Sequence, residues 1–138
     1  MERLLLIGGT GHLGYAIISE IYNFWKNKNI FITVLTRSNS LPNYFPINNS
    51  IKFEKYDPQN INALKSSILA IKPTTIIYLA SDNNNQDTSE FYISSEVNLF
   101  LPIKILFLIK EVCSDTKYIF LSSKLAKLDS NKYCLYSL

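Results

Sequence analysis

The sequence predicts an α/β fold, a doubly wound parallel sheet of about five strands in the order 3-2-1-4-5 with helices on both faces. Two observations lead to this prediction. Short apolar runs alternate with helical periodicities along the 138 residues, and all four glycines lie between positions 8 and 14. Alternating strands and helices are typical of parallel sheets, and right-handed crossovers then determine the strand order. A chain of this length is expected to form one domain, residues 1–138.

The first half of the chain supplies two strands and a helix. Residues 4–7 form a continuous apolar run, which predicts a strand buried on both faces. Residues 11–26 carry apolar side chains at helical spacing. Residues 30–35 are rich in β-branched side chains and predict the second strand. Residues 36–50 contain asparagine, serine and two prolines, so we expect irregular structure there.

A third strand and a second helix are predicted next. The strand covers residues 51–56. Asp57 and Pro58 then form a good helix opening, because aspartate caps free amides and proline suits the first turn. This helix is predicted to end at residue 71, before Lys72-Pro73.

The last third of the chain repeats the alternation. Residues 75–80 predict the fourth strand and the polar run 81–89 a loop. A helix over residues 90–113 and a fifth strand over 118–121 follow. Residues 122–138 are polar and contain no recognisable stop signal.

Composition excludes several classes of protein. With 47% hydrophobic and 13% aromatic residues, the chain is not intrinsically disordered. The net charge is only +3 and the basic residues are spread out, so we expect no nucleic-acid partner. Two cysteines and one histidine provide no metal-ligand spacing and suit a reduced cytoplasm. Charges and a proline interrupt the most apolar stretch, residues 91–113, which argues against a membrane span.

Glycines mark the connection between the first strand and the first helix. Gly8, Gly11 and Gly14 form a Gly-x-x-Gly-x-x-Gly pattern that follows a buried strand and opens an amphipathic helix. Phosphates approach backbone closely where side chains are absent, and a helix N-terminus offers free amides and a positive dipole end. In this context the pattern predicts a dinucleotide site, the alternative being a tight turn alone.

These motifs resemble the extended and atypical short-chain dehydrogenase/reductases, which include NAD(P)-dependent sugar epimerases and dehydratases. Besides the glycines, residues 72–81 look like the family's fourth strand, which usually ends His-Leu-Ala-Ala beside the cofactor. Val97-Asn98 looks like the Val-Asn of the following helix, and residues 118–123 look like the fifth strand. The resemblance implies a Rossmann-type sheet. It also implies the following cofactor-binding residues: Gly8, Thr10, Gly11, His12, Leu13, Gly14, Arg37, Asp57, Leu79, Ala80 and Ser81.

The end of the second strand bears on the choice of dinucleotide. In NAD-binding domains of this type an acidic residue there binds the ribose hydroxyls, but no Asp or Glu occurs between Glu20 and Glu54. Arg37 stands at this strand end, and a guanidinium holds a 2′-phosphate bidentately. NADP(H) is therefore favoured, with NAD left open, and Ser38 and Ser40 would add phosphate contacts. Asp57 resembles the family aspartate that contacts adenine, a role compatible with capping.

Family members transfer a hydride to or from the nicotinamide with the help of a serine, a tyrosine and a lysine. By resemblance, Ser123 at the end of the fifth strand is the serine, and Tyr136 is favoured over Tyr133 as the general acid/base. The lysine of the Tyr-x-x-x-Lys spacing would fall at position 140, beyond the 138 residues of the sequence. The resemblance thus covers the cofactor half only, truncated before the C-terminal substrate region, and we expect little or no turnover.

The sequence leaves three functions open. The first is the nucleotide-binding part of an NADP(H)-dependent reductase, epimerase or dehydratase that acts on a nucleotide sugar or a similar carbonyl substrate. The second is a non-catalytic NAD(P)-binding or sensing module, and the third is an unrelated phosphate-binding domain. The predicted helix 90–113 is apolar on more than one face, which fits either a homodimer interface or burial in the remainder of a longer protein.

Overall fold

The computed structural model describes residues 1–24, 29–39, 42–45, 49–82, 92 and 94–121. Five parallel strands form one sheet in the order β3-β2-β1-β4-β5, which confirms the predicted fold class and strand order. The strands are β1 (Glu2–Ile7), β2 (Ile30–Thr36), β3 (Ile51–Lys55), β4 (Thr75–Tyr78) and β5 (Lys117–Phe120). The helices are α1 (His12–Phe24), α2 (Ile61–Ile71) and α3 (Leu101–Val112), the last preceded by a π-helical segment, Glu96–Phe100.

Strand β1 is the centre of the sheet, and its alternate side chains belong to two cores. Leu5 and Ile7 pack on the face that α2 and α3 cover. Leu4 and Leu6 pack on the opposite face with Ile18 of α1. The continuous apolar run in the sequence follows from this position, because a strand covered by helices on both faces has no solvent side.

Helix α2 begins later than the sequence pattern predicts. Its N-cap is Asn60, whose side-chain oxygen accepts a hydrogen bond from Ala63 N at 3.0 Å. The prediction that Asp57 caps this helix is therefore wrong. The Asp57 carboxylate instead accepts from Gln59 N at 2.9 Å, in a turn that precedes the helix. The predicted end at residue 71 is confirmed, and Lys72 follows in the left-handed conformation at φ 49°.

A proline in the next turn leaves one carbonyl of the π-helical segment without a backbone donor. Leu101 N–H donates to Glu96 O, five residues back. The residue five positions after Val97 is Pro102, which has no N–H to donate. The carbonyl of Val97 accepts instead from the Tyr78 hydroxyl at 2.5 Å. This hydrogen bond therefore holds the π-helical segment against the last residue of β4.

Candidate functional site

A cleft of about 530 Å³ lies at the carboxyl ends of β1, β2 and β4. Seven of the predicted cofactor-binding residues line it, namely Gly8, Thr10, Gly11, Arg37, Leu79, Ala80 and Ser81. Thr36, Ser38 and Tyr56 complete the lining. Ile7 pairs with Leu35 on one side and with Tyr78 on the other, so the residues that follow these three strands converge. A second cavity, of about 560 Å³, contains none of the predicted site residues.

Gly8 is where the three strand ends meet. Its φ is +78°, and a β-carbon on it would lie 2.5 Å from the backbone nitrogen of Ala80. Its N–H donates to Leu35 O at 2.8 Å. Only glycine satisfies both the dihedral angle and the close approach of β4, so the fold itself requires Gly8.

The other two glycines of the pattern differ from each other. Gly14 is buried, and a β-carbon there would lie 2.6 Å from the α-carbon of Gly9. Gly11 is exposed at the cleft, and a β-carbon there would meet no atom of the described residues within 4 Å, its chain neighbours aside. Packing therefore explains the glycine at position 14, whereas nothing in the described part of the protein requires one at position 11.

Two threonines connect the glycine loop to the end of β2. The Oγ1 atoms of Thr10 and Thr36 are 3.1 Å apart, and Ser38 N donates to Thr36 Oγ1 at 3.1 Å. Thr36 is the last residue of β2 and is only 5% exposed. A neutral, internally bonded threonine therefore ends the strand at which NAD-binding domains of this type carry a carboxylate.

Arg37 reaches across the cleft. Its guanidinium Nη1 lies 3.3 Å from Asp82 Oδ2. Asp82 was not among the predicted residues, although it directly follows the predicted segment 79–81. Asn98 of the π-helical segment holds its backbone through two hydrogen bonds, with Asp82 N donating at 2.9 Å and Asn98 Nδ2 donating to Asp82 O at 2.7 Å. Asn98, which belongs to the Val-Asn resemblance, thus positions Asp82 beside the cleft.

Tyr56 is a second residue that the sequence analysis missed. It is 8% exposed, and its hydroxyl is buried without a hydrogen-bond partner among the described residues. Burial raises the pKa of Tyr56 to about 12, against a lowering by the nearby charge of Arg37. The hydroxyl therefore stays protonated at neutral pH. An aromatic residue after a strand predicts core packing, which Tyr56 also provides, so the sequence contains no separate signal for the cleft.

Four predicted cofactor-binding residues lie outside the cleft lining. His12 and Leu13 are exposed on the first turn of α1, and Asp57 is exposed beside Tyr56. Gly14 is buried beneath the loop. Their contacts with a cofactor remain predictions.

The predicted catalytic residues cannot be compared with the cleft. Ser123, Tyr136 and the alternative Tyr133 lie outside the described residues, as does Ser40. Within the described ranges, no group of three or more His, Cys, Asp or Glu side chains could hold a metal ion. No helix in those same ranges is long and apolar enough to cross a membrane.

Comparisons with known proteins show the fold. No family model and no curated protein matches the sequence. Among solved structures, a short chain dehydrogenase family protein from Francisella tularensis aligns with a TM-score of 0.76 and 17% identity, over 99% of this chain and 57% of its own. The enzyme WbmG from Bordetella bronchiseptica, in complex with NAD, aligns with a TM-score of 0.74 and 17% identity. The chain therefore has a Rossmann-like fold, which it shares with these structures.

The same comparisons cover only part of each neighbour. The alignment with WbmG spans 90% of this chain and 38% of WbmG. A UDP-glucose 4-epimerase from Thermus thermophilus, in complex with NAD, aligns with a TM-score of 0.69 and 18% identity, over 88% of this chain and 37% of its own. The chain thus spans less than two thirds of the length of each structure that it matches here.

Proposed function

We propose that this chain is the dinucleotide-binding part of an NADP(H)-dependent reductase, epimerase or dehydratase related to the short-chain dehydrogenases. The observation that carries the proposal is the cleft around Gly11, a glycine whose β-carbon would meet none of the described residues beyond its chain neighbours. A glycine at a position where the packing of the described residues would accept a side chain is explained by a ligand that approaches the backbone there. The NAD bound in two structural neighbours supports the same ligand class.

Different residues of the cleft fit the pyrophosphate and the 2′-phosphate of the dinucleotide. The pyrophosphate is proposed to lie over the glycine loop, where α1 begins and its free amides and dipole favour an anion. Arg37 and Ser38 are proposed to hold the 2′-phosphate of NADP(H) at the end of β2. Thr36 replaces the carboxylate that would repel this phosphate. These assignments favour NADP(H) over NAD.

The chemistry is proposed from the resemblance. The dinucleotide, when bound, would supply a nicotinamide able to transfer a hydride to or from a carbonyl or carbinol carbon. Ser123 is proposed to hold the substrate oxygen and Tyr136 to move its proton, with a lysine lowering the pKa of the tyrosine. A nucleotide sugar is the proposed substrate class, because one structure of WbmG contains UDP and a Thermotoga maritima neighbour is a UDP-glucose 4-epimerase with UDP-glucose.

A non-catalytic dinucleotide-binding or sensing module is the second candidate. The described residues that line the cleft offer backbone, hydroxyl and guanidinium groups. The phenol among them belongs to Tyr56, and burial raises its pKa, which does not suit a general base. Binding of dinucleotide together with an absence of hydride transfer by the longest natural form of the protein would favour this candidate.

The proposed partner at the outer face of α3 is a second copy of the chain. Ile103, Leu106 and Phe107 are exposed there, the last to 66%, as is Phe100 directly before the helix, whereas Ile109 packs in the core. Sedimentation of the purified chain tests this proposal. A dimer that Phe107→Lys dissociates would support it, and a monomer at all concentrations would contradict it.

Titration with NADPH and NADH, followed by calorimetry, tests the cofactor assignment. We expect NADPH to bind more tightly than NADH, and Arg37→Gln to weaken NADPH binding about tenfold while it leaves NADH binding unchanged, because a charge-assisted hydrogen bond to phosphate is lost. Arg3→Gln is the matched control, since Arg3 donates to Lys72 O, far from the cleft. Equal affinities for the two nucleotides, or an Arg37→Gln variant that binds NADPH as the wild type does, would contradict the assignment.

A further inference from the structure

The ion pair between Arg37 and Asp82 spans the end of β1. Arg37 follows β2 and Asp82 follows β4, and these are the two strands that flank β1 in the sheet. Gly8, at the end of β1, lies between them and opens into the cleft. A ligand that runs across the glycine loop from the β2 side to the β4 side therefore has to pass the Arg37–Asp82 pair.

The side chains of Asp82 and Arg37 differ in how firmly their surroundings hold them. The side chain of Asp82 is 11% exposed, and that of Arg37 is 43% exposed. Two hydrogen bonds with Asn98 hold the backbone of Asp82, and Ser94 Oγ donates to the Asp82 Oδ1 atom at 3.4 Å. Asp82 is thus a fixed carboxylate, and Arg37 is the partner that is free to turn toward another anion.

We propose that Asp82 sets the dinucleotide preference of the cleft by competing with the 2′-phosphate for Arg37. The inference rests on the proposed function and adds a specificity-determining residue to it. The carboxylate occupies Arg37 when no phosphate is present, and NADPH has to replace it, whereas NADH, which has no 2′-phosphate, leaves the pair intact. The wild-type preference for NADPH is therefore smaller than an unpaired arginine would produce.

If Asp82 competes for Arg37, its charge changes the ratio of the NADH and NADPH dissociation constants. Replacement of Asp82 by asparagine keeps an acceptor for Ser94 and the size of the side chain, but removes the charge that opposes a phosphate at Arg37. The dissociation constant for NADH divided by that for NADPH is then expected to rise about fivefold, since an ion pair of this exposure contributes up to about 1 kcal/mol. A purely structural role for Asp82 would change both affinities alike and leave the ratio constant.

The experiment is a double-mutant cycle with NADPH and NADH as probes. Wild type, Asp82→Asn, Arg37→Gln and the double variant are titrated with each nucleotide. The ratio is expected to rise in Asp82→Asn alone and to stay unchanged when the same replacement is made in Arg37→Gln. Asp82→Ala is expected to give the same rise. Asp115→Asn is the charge-matched control, because Asp115 is exposed in the turn before β5, at the opposite ends of the strands.

Two contrary outcomes separate this inference from the proposed function. If the proteins bind dinucleotide and Asp82→Asn leaves the ratio unchanged, or raises it equally in the Arg37→Gln background, the inference on Asp82 is wrong and the proposed function stands. If neither nucleotide binds wild type or any variant, the proposed function fails, and the inference fails with it.

Discussion

Gly14 packs against the backbone of Gly9 so closely that a β-carbon on Gly14 would lie 2.6 Å from the α-carbon of Gly9 and nearer still to its carbonyl group. This contact connects the first turn of α1 with the start of the loop that leaves β1. The spacing between helix and strand in this part of the site thus depends on the absence of a single side chain.

Gly14→Ala is predicted to destabilise the protein by at least about 2 kcal/mol, because the helix has to move away from the loop. Urea unfolding of the purified variant measures this loss. The sign of the change is informative, since alanine normally stabilises a helix interior relative to glycine by about 0.5–1 kcal/mol. A variant more stable than wild type would show that the contact with Gly9 is not limiting.

Two buried tyrosines are predicted to respond in opposite ways to removal of the hydroxyl. Tyr78→Phe leaves the carbonyl of Val97 without its donor and is expected to cost about 1–3 kcal/mol. Tyr56→Phe removes a hydroxyl that has no partner in the described part of the chain, so stability is expected to stay the same or to rise by up to about 1 kcal/mol. Urea unfolding at neutral pH compares them, and equal losses would contradict the assignment of the two hydroxyls.

The pKa of Tyr56 predicts how stability depends on alkaline pH. Burial raises this pKa to about 12, whereas the unfolded chain releases the proton near 10. The folded state therefore keeps a proton that the unfolded state has lost, and the free energy of unfolding falls as pH rises from about 10 to about 12. Tyr56→Phe is expected to make this fall shallower by about one proton, whereas Tyr22→Phe, at an exposed position of α1, serves as the control. Parallel curves for wild type and Tyr56→Phe between pH 8 and pH 11 would contradict this prediction.

Local patterns were sufficient for the fold and for part of the cleft. The alternation of strands and helices predicted the strand order. The glycine pattern together with Arg37 predicted residues that line the cleft at the carboxyl ends of the strands. Asp57 was predicted to cap α2, but an aspartate before proline also begins a turn, and the competing cap Asn60 stands three residues later. The sequence pattern does not decide between the two.

Long-range contacts explain what the sequence analysis missed. Asp82 meets Arg37 across 45 positions of the chain, and no spacing rule links them. Tyr56 has the sequence context of a core residue and occupies the core as well as the cleft wall. The sequence pattern also could not predict that packing requires the glycine at position 14 but not the one at position 11. Only the structure distinguishes these two positions.

Gly11→Ala tests the central claim, that the cleft is built for a dinucleotide, most directly. Apart from its chain neighbours, no described residue lies within 4 Å of a β-carbon at position 11, so the variant is expected to fold with a stability equal to that of wild type or up to about 1 kcal/mol higher. Its affinity for NADPH, measured by calorimetry, is expected to fall at least about tenfold, because the methyl group would occupy the space proposed for the phosphates. A stably folded Gly11→Ala protein that binds NADPH as tightly as wild type would contradict the account.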